Sequence, residues 1–168
     1  MSRLRRLYVS DRFFFVTCSL SRRRRLLSDD DFGCLAKAIQ SARASHHFLL
    51  TAWVFLPDHW HAIIFPHHPL TISRVMEVIK VRSTLQTNLR RKQSGQLWQG
   101  RFFDHALRTA EKYHACLDYI HHNPVKRSLV KTPEEWAWSS IHSYGGPGPV
   151  KLAIDRAQLP LDPKARLY

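Results

Sequence analysis

A chain of 168 residues, 44% of them apolar, is long enough for one ordinary domain with a real core and too apolar to be disordered. Its 26 Lys and Arg against 13 Asp and Glu leave a formal charge of +13, which favours polyanionic partners without separating DNA from RNA or anionic lipid. Cys18, Cys34 and Cys116 are odd in number and form no CxxC pair, which argues against a disulfide framework or zinc ribbon and suits a reducing, cytoplasmic setting.

The N-terminus, "MSRLRRLYVSDRFFFVTCSL", starts basic, but Asp11 and Arg12 interrupt it and no small-residue cleavage site follows, so it reads as an arm leading into a strand. No run approaches the roughly 18 continuous apolar residues of a spanning helix, and no membrane role is expected. "RFFFVTCSL", residues 12–20, is aromatic and β-branched, a first strand ended by "SRRRR". Ser28 can cap a helix running to about Ser45, with Phe32, Leu35, Ala36 and Ile39 on one face. "FLLTAWVFL", Phe48 to Leu56, is a second strand, and Pro57 and Asp58 turn it into a third, "HWHAIIF", antiparallel to it. Thr71 opens a second helix with Ile72, Val75, Met76 and Ile79 as its buried stripe, closed by "RRKQSGQ". "FFDHALR" supplies a short fourth strand, and "TAEKYHACLDYIHHN" a last helix stopped by Pro124.

The order β-α-β-β-α-β plus a helix is the ferredoxin-like split βαβ arrangement, an α+β fold with an antiparallel sheet. Two helices cover one sheet face and leave the other for a ligand or the added C-terminal helix. Residues 1–145 form the expected single domain, and residues 146–168, rich in Pro and Gly, a loosely packed tail.

On a strand, residues i and i+2 share a face, so His59 and His61 project together while Trp60 and Ala62 point the other way. Two imidazoles at that spacing can bind one cation; on their own they are more often polar residues at a strand start. The last helix can complete the site. Tyr119 and Asn123 are four apart and share a helix face, a phenol that can attack phosphorus and an amide oxygen that can join two histidines around a divalent ion. Asn123 precedes Pro124 and is pushed out of the helical region, which leaves His122 as the rival third ligand.

"PDHWH" at residues 57–61, "LWQGRF" at Leu97 to Phe102 and "DYIHHNPVK" at Asp118 to Lys126 together resemble the single-tyrosine HUH transposases of the IS200-like superfamily, and among them the REP-associated tyrosine transposases. The resemblance extends through "RFFFVT" and "WAWSSIHSY" and covers about residues 8–144. It implies a ferredoxin-like sheet, a metal held by His59, His61 and Asn123, and one nucleophilic tyrosine, Tyr119 by motif position. Tyr113, six residues earlier, would point elsewhere on a helix. Where relatives carry a further aromatic this chain has His121, which removes a competing tyrosine.

The implied activity is cleavage and rejoining of single-stranded DNA beside a palindromic, REP-like hairpin through a 5′-phosphotyrosine intermediate. Phosphate chemistry points to Mg²⁺ or Mn²⁺ as the cofactor. Arg3, Arg5 and Arg6 would help read a short guide sequence beside the hairpin; Trp98, Gln99 and Arg101 would stack on or hydrogen-bond to unpaired bases, unless Trp98 is core; and Lys126 and Arg127 complete the DNA-binding set. Arg22 to Arg25 and Arg90 to Lys92 either track phosphates or are solvated. A monomer is expected over a homodimer, in the cytoplasm and associated with the nucleoid. The main alternative is a non-catalytic single-stranded nucleic-acid-binding module of the same fold, although the basic-Gly-aromatic pattern of an RRM is not evident. A zinc hydrolase would need a third strong ligand and a general base.

Overall fold

The computed structural model describes residues 11–157. Its elements are β1 (Phe14–Ser19), α1 (Asp29–Ser45), β2 (Phe48–Leu56), β3 (His59–Pro66), α2 (Ile72–Arg91), β4 (Phe103–Ala106) and α3 (Ala110–Lys126), followed by 3₁₀ turns at Pro133–Glu135 and Ser140–Tyr144. The sheet runs β2-β3-β1-β4 with every neighbouring pair antiparallel, the ferredoxin-like α+β arrangement expected from the order of elements.

Alternation along the strands splits the apolar side chains into two cores. Phe14, Val16 and Cys18 of β1 and Trp60, Ala62 and Ile64 of β3 face α1 and α2, where Leu35, Ile39, Val75, Met76 and Ile79 close over them. Phe15, Ile63, Val54 and Leu56 face the other way, against Tyr113 and Ile120 of α3. A register shift between Leu50 and Ala52 lets β2 serve both cores, sending Leu50, Trp53 and Phe55 to the first and Ala52, Val54 and Leu56 to the second.

Three acidic residues, Asp29, Asp30 and Asp31, occupy the first turn of α1, where the helix dipole favours negative charge. Asp31 goes further. Its Oδ2 accepts from the Ser28 backbone N–H at 2.8 Å and from the Ser28 hydroxyl at 2.9 Å. Its buried carboxylate also pairs with Arg90 and, at 2.6 Å, with Arg91 from the end of α2. Arg24 donates to the carbonyls of Ser94, Gly95 and Gln96, pinning the loop after α2. So Arg24, Arg90 and Arg91 have structural partners inside the chain, neither of the two roles expected of their basic runs.

Two expectations are corrected. The last helix runs through Pro124 to Lys126, with Asn123 helical. The missing proline N–H falls in the last turn, and burial of Ile120, Asn123 and Pro124 against the sheet outweighs the local preference. Nor is the segment after Gly145 loose as far as it is described. Leu152 is 1% exposed, and the Trp53 indole N–H donates to its carbonyl. Asp155 closes a reciprocal pair with Leu50, its N–H to the Leu50 carbonyl at 2.8 Å and the Leu50 N–H to its carboxylate at 2.9 Å, while Arg43 bonds the same side chain at 2.7 Å. With Phe55 donating to the Trp138 carbonyl, this segment covers β2, an edge strand whose open backbone would otherwise invite pairing. Among the described residues no helix is long and apolar enough to cross a membrane.

Candidate active site

His59 and His61 enter the sheet at the first turn of β3, opposite Ser19 and Thr17 of β1. Both project to one face, as their spacing predicts, and that face is the one toward α3. The hairpin fixes His59 from outside: Asp58 Oδ1 lies 2.6 Å from its Nδ1, so that nitrogen donates and Nε2 keeps its lone pair. Asp58 is held in turn by Arg127, whose NH2 lies 2.7 and 2.6 Å from the two carboxylate oxygens. Burial would raise the Asp58 pKa, but hydrogen bonds from Arg127 and His59 outweigh it and keep the group a carboxylate.

His61 is buried, with Nδ1 2.8 Å from Thr17 Oγ1. Burial first, then the His59 and Arg127 charges, push its pKa down to about 3. Burial also lowers His59, against the pull of Asp58. Both rings are therefore neutral at physiological pH, the form that ligates metals.

The two Nε2 atoms face each other at 3.0 Å. With Nδ1 as the protonated nitrogen of each ring, two lone pairs would converge there, an arrangement that a cation would satisfy. Asn123 supplies a third group. It is 4% exposed, its Nδ2 sits 3.2 Å from His61 Nε2, and its buried Oδ1 has no hydrogen-bond partner. Rotating the amide by half a turn would exchange the two atoms and bring a bare carbonyl oxygen to the imidazoles. An unsatisfied buried oxygen is costly, and a cation would satisfy it together with both nitrogens. The donor set fits a divalent ion. Among the described residues no three His, Cys, Asp or Glu side chains cluster as ligands; the polar group beside the two histidines is the Asn123 amide.

Tyr119 lies one helical turn before Asn123 on the same face. Its ring is 5.3 Å from His61 and 5.8 Å from Phe15, and it remains 40% exposed. The Lys126 ammonium sits 4.9 Å from the ring centroid. Tyr113, in contrast, is 4% exposed and packs on Phe13, away from the histidines. His122 is exposed, with Nδ1 bonded to the Asp118 carbonyl, and stays outside the cluster. His121 turns inward to Ser140 Oγ at 3.0 Å.

The expected DNA-contacting residues separate. Trp98 is 1% exposed and donates to Ser83 Oγ at 2.8 Å, so it is core and offers no face to a base, a correction to the stacking expectation. Gln99 and Arg101 are exposed beside the end of β1, with the Gln99 side chain donating to the Leu20 carbonyl at 3.2 Å. Arg127 closes onto Asp58, while Lys126 leans over Tyr119. Arg3, Arg5 and Arg6 lie outside the described residues. Thr17, Asp58 and the Asp58–Arg127 pair are site residues that sequence reasoning missed. Asp58 stood in the quoted motif and gave a local signal; Thr17 lies on another strand and gave none.

Comparison with known proteins agrees with the fold. The family model described as "Transposase IS200 like" matches residues 11–123. The REP-associated tyrosine transposase of Escherichia coli K12 is 34% identical over 143 residues, 84% of each chain. A solved structure of a REP-associated tyrosine transposase bound to a REP hairpin superposes with a TM-score of 0.76 at 32% identity, covering 96% of both chains.

Proposed function

Because the chain belongs to the IS200-like transposases, and within them to the REP-associated tyrosine transposases, we propose that it cleaves and rejoins single-stranded DNA beside REP-like hairpins, using Tyr119 as nucleophile. The observation that carries this reading is that a half-exposed tyrosine ring, two imidazole nitrogens and a buried amide lie together, with the Tyr119 ring 5.3 Å from the His61 ring and Asn123 Nδ2 3.2 Å from His61 Nε2.

His59, His61 and Asn123 would hold a divalent ion, Mg²⁺ or Mn²⁺, which supplies Lewis-acid stabilisation of charge on the scissile phosphate when bound. The protein does the rest. Asp58 and Thr17 keep the imidazole rings turned so that their free nitrogens converge. Helix α3 carries Tyr119 one turn before Asn123, its ring beside His61 and partly exposed. The phenolic oxygen forms a bond to phosphorus as the bond to the 3′ oxygen breaks; the proton lost by the phenol is balanced by the one the departing 3′-hydroxyl gains. The product is a 5′-phosphotyrosine, which stores the phosphoester so that another 3′-hydroxyl can reseal the strand. A monomer in the cytoplasm suffices for this chemistry, since one tyrosine and one cluster lie in one chain.

The test is incubation of wild type and Tyr119→Phe with labelled hairpins carrying single-stranded flanks, with Mn²⁺ or with EDTA, resolved on a denaturing gel. Wild type should give a metal-dependent covalent adduct and the Phe variant none. Tight hairpin binding by wild type with no adduct under any condition would instead favour the binding-only module.

A further inference from the structure

The face of the sheet that carries the histidines is covered unevenly. Helix α3 packs on β2 and β3 and reaches β1 through Tyr119 on Phe15, while the β4 edge of that face leaves Phe103 exposed. There Phe103 stands opposite Thr17, and His105 opposite Phe15, so both share the face of the candidate site. Phe103 is 58% exposed, an aromatic on an edge strand of four residues, where exposure is a liability unless something uses it.

The rings form a continuous path. His61 lies 5.3 Å from Phe15 at an interplanar angle of 26°, and Phe15 in turn lies 6.4 Å from Phe103 and 5.6 Å from His105. Phe103 and His105 are 5.8 Å apart. Cations flank this path: Arg101 and Arg108 are exposed on either side of β4, and partial burial, then the Lys112 charge, lower the His105 pKa against the pull of Asp104. Aromatic faces rimmed by cations are how proteins hold single strands, because every unpaired base offers a π face and a neighbouring phosphate. A paired stem offers phosphates but keeps its base faces stacked within the duplex.

We propose that Phe103, supported by Phe15 and His105, is a stacking platform for an unpaired nucleobase next to the scissile phosphate. The platform thus holds the single-stranded flank of the substrate, with Lys112, Arg101 and Arg108 toward its backbone. This rests on the reading of His61 and Tyr119 as the cleavage site, but its test does not need the chemistry.

Binding is measured in EDTA with two oligonucleotides, a hairpin stem alone and the same stem with single-stranded flanks carrying 2-aminopurine at successive positions. Phe103→Ala should weaken the flanked oligonucleotide roughly tenfold and leave the stem unchanged, while Phe103→Trp retains affinity. One 2-aminopurine position should be quenched by wild type and not by Phe103→Leu, which keeps an apolar group there but has no ring. An abasic nucleotide at that position should abolish the difference between wild type and Phe103→Ala. Equal affinity of wild type and Phe103→Ala for the flanked strand would overturn the platform, as would equal loss on the stem alone. So would a concentration-dependent self-association that Phe103→Ala removes, since the edge would then serve a second copy. An adduct through Tyr119 with no effect of Phe103 would sink the platform alone; quenching without any adduct would sink the cleavage reading and leave the platform standing.

Discussion

At the scale of single residues, the site depends on ring nitrogens whose protons are placed by neighbours. His59 has its Nδ1 on Asp58, and Asp58 is held in place by Arg127, the residue that follows α3. Arg127 and Asp58 are both close to half exposed, so their ion pair contributes little to folding. Asp58→Asn should therefore change unfolding free energy by less than about 1 kcal/mol, yet weaken Mn²⁺ binding about 10- to 100-fold, read by calorimetric titration. Unchanged metal affinity would show that His59 keeps its orientation without the carboxylate. The histidines themselves were legible from the alternation of "HWH". That Asn123 stays helical and lies beside them was not, because a local rule about residues before proline pointed the wrong way. Burial of Asn123 beneath the helix overrides that rule.

At the scale of elements, α1 and α2 are joined by the buried carboxylate of Asp31 between Arg90 and Arg91. Burial alone would raise its pKa, but the hydrogen bonds from Arg91, the Ser28 backbone and Arg90 outweigh it and hold the carboxyl well below the usual range. The native state then binds fewer protons than the unfolded chain once pH falls below about 4, so stability present at neutral pH is lost as pH drops through that range. Asp31→Asn should cost about 3 kcal/mol at pH 7, because it leaves two guanidiniums without their counter-charge. It should also flatten the acid limb, both measured by urea unfolding between pH 2 and pH 7. A variant with an unchanged acid limb would move that dependence to other carboxylates. The sequence showed the runs "RRRR" and "RRK" as charge. Only the fold shows that Arg24, Arg90 and Arg91 are bound internally, since their partners lie some 60 to 70 residues away.

At the scale of the molecule, the segment through Asp155 completes the domain. Leu152 belongs to the core formed by Trp53, Trp138 and the α1 face, and its neighbours cap the backbone of β2. Leu152→Ala should destabilise the chain by about 2 to 4 kcal/mol in chemical unfolding, whereas a loose tail would make the change neutral. The composition of "GGPGPVKLAI" hid this, because Pro and Gly report local backbone preference, whereas the burial of one leucine depends on where the chain returns.

The sequence by itself determined the order of elements, the faces of the strands and the shared face of His59 and His61, because periodicity is local and survives without a fold. Tertiary structure decided the rest: which polar group completes the cluster, which arginines are internal, that Trp98 is core, and that Phe103 is left open beside the site. Each of these depends on burial and on partners distant in the chain, and neither quantity exists until the sheet and its two layers of helices have closed.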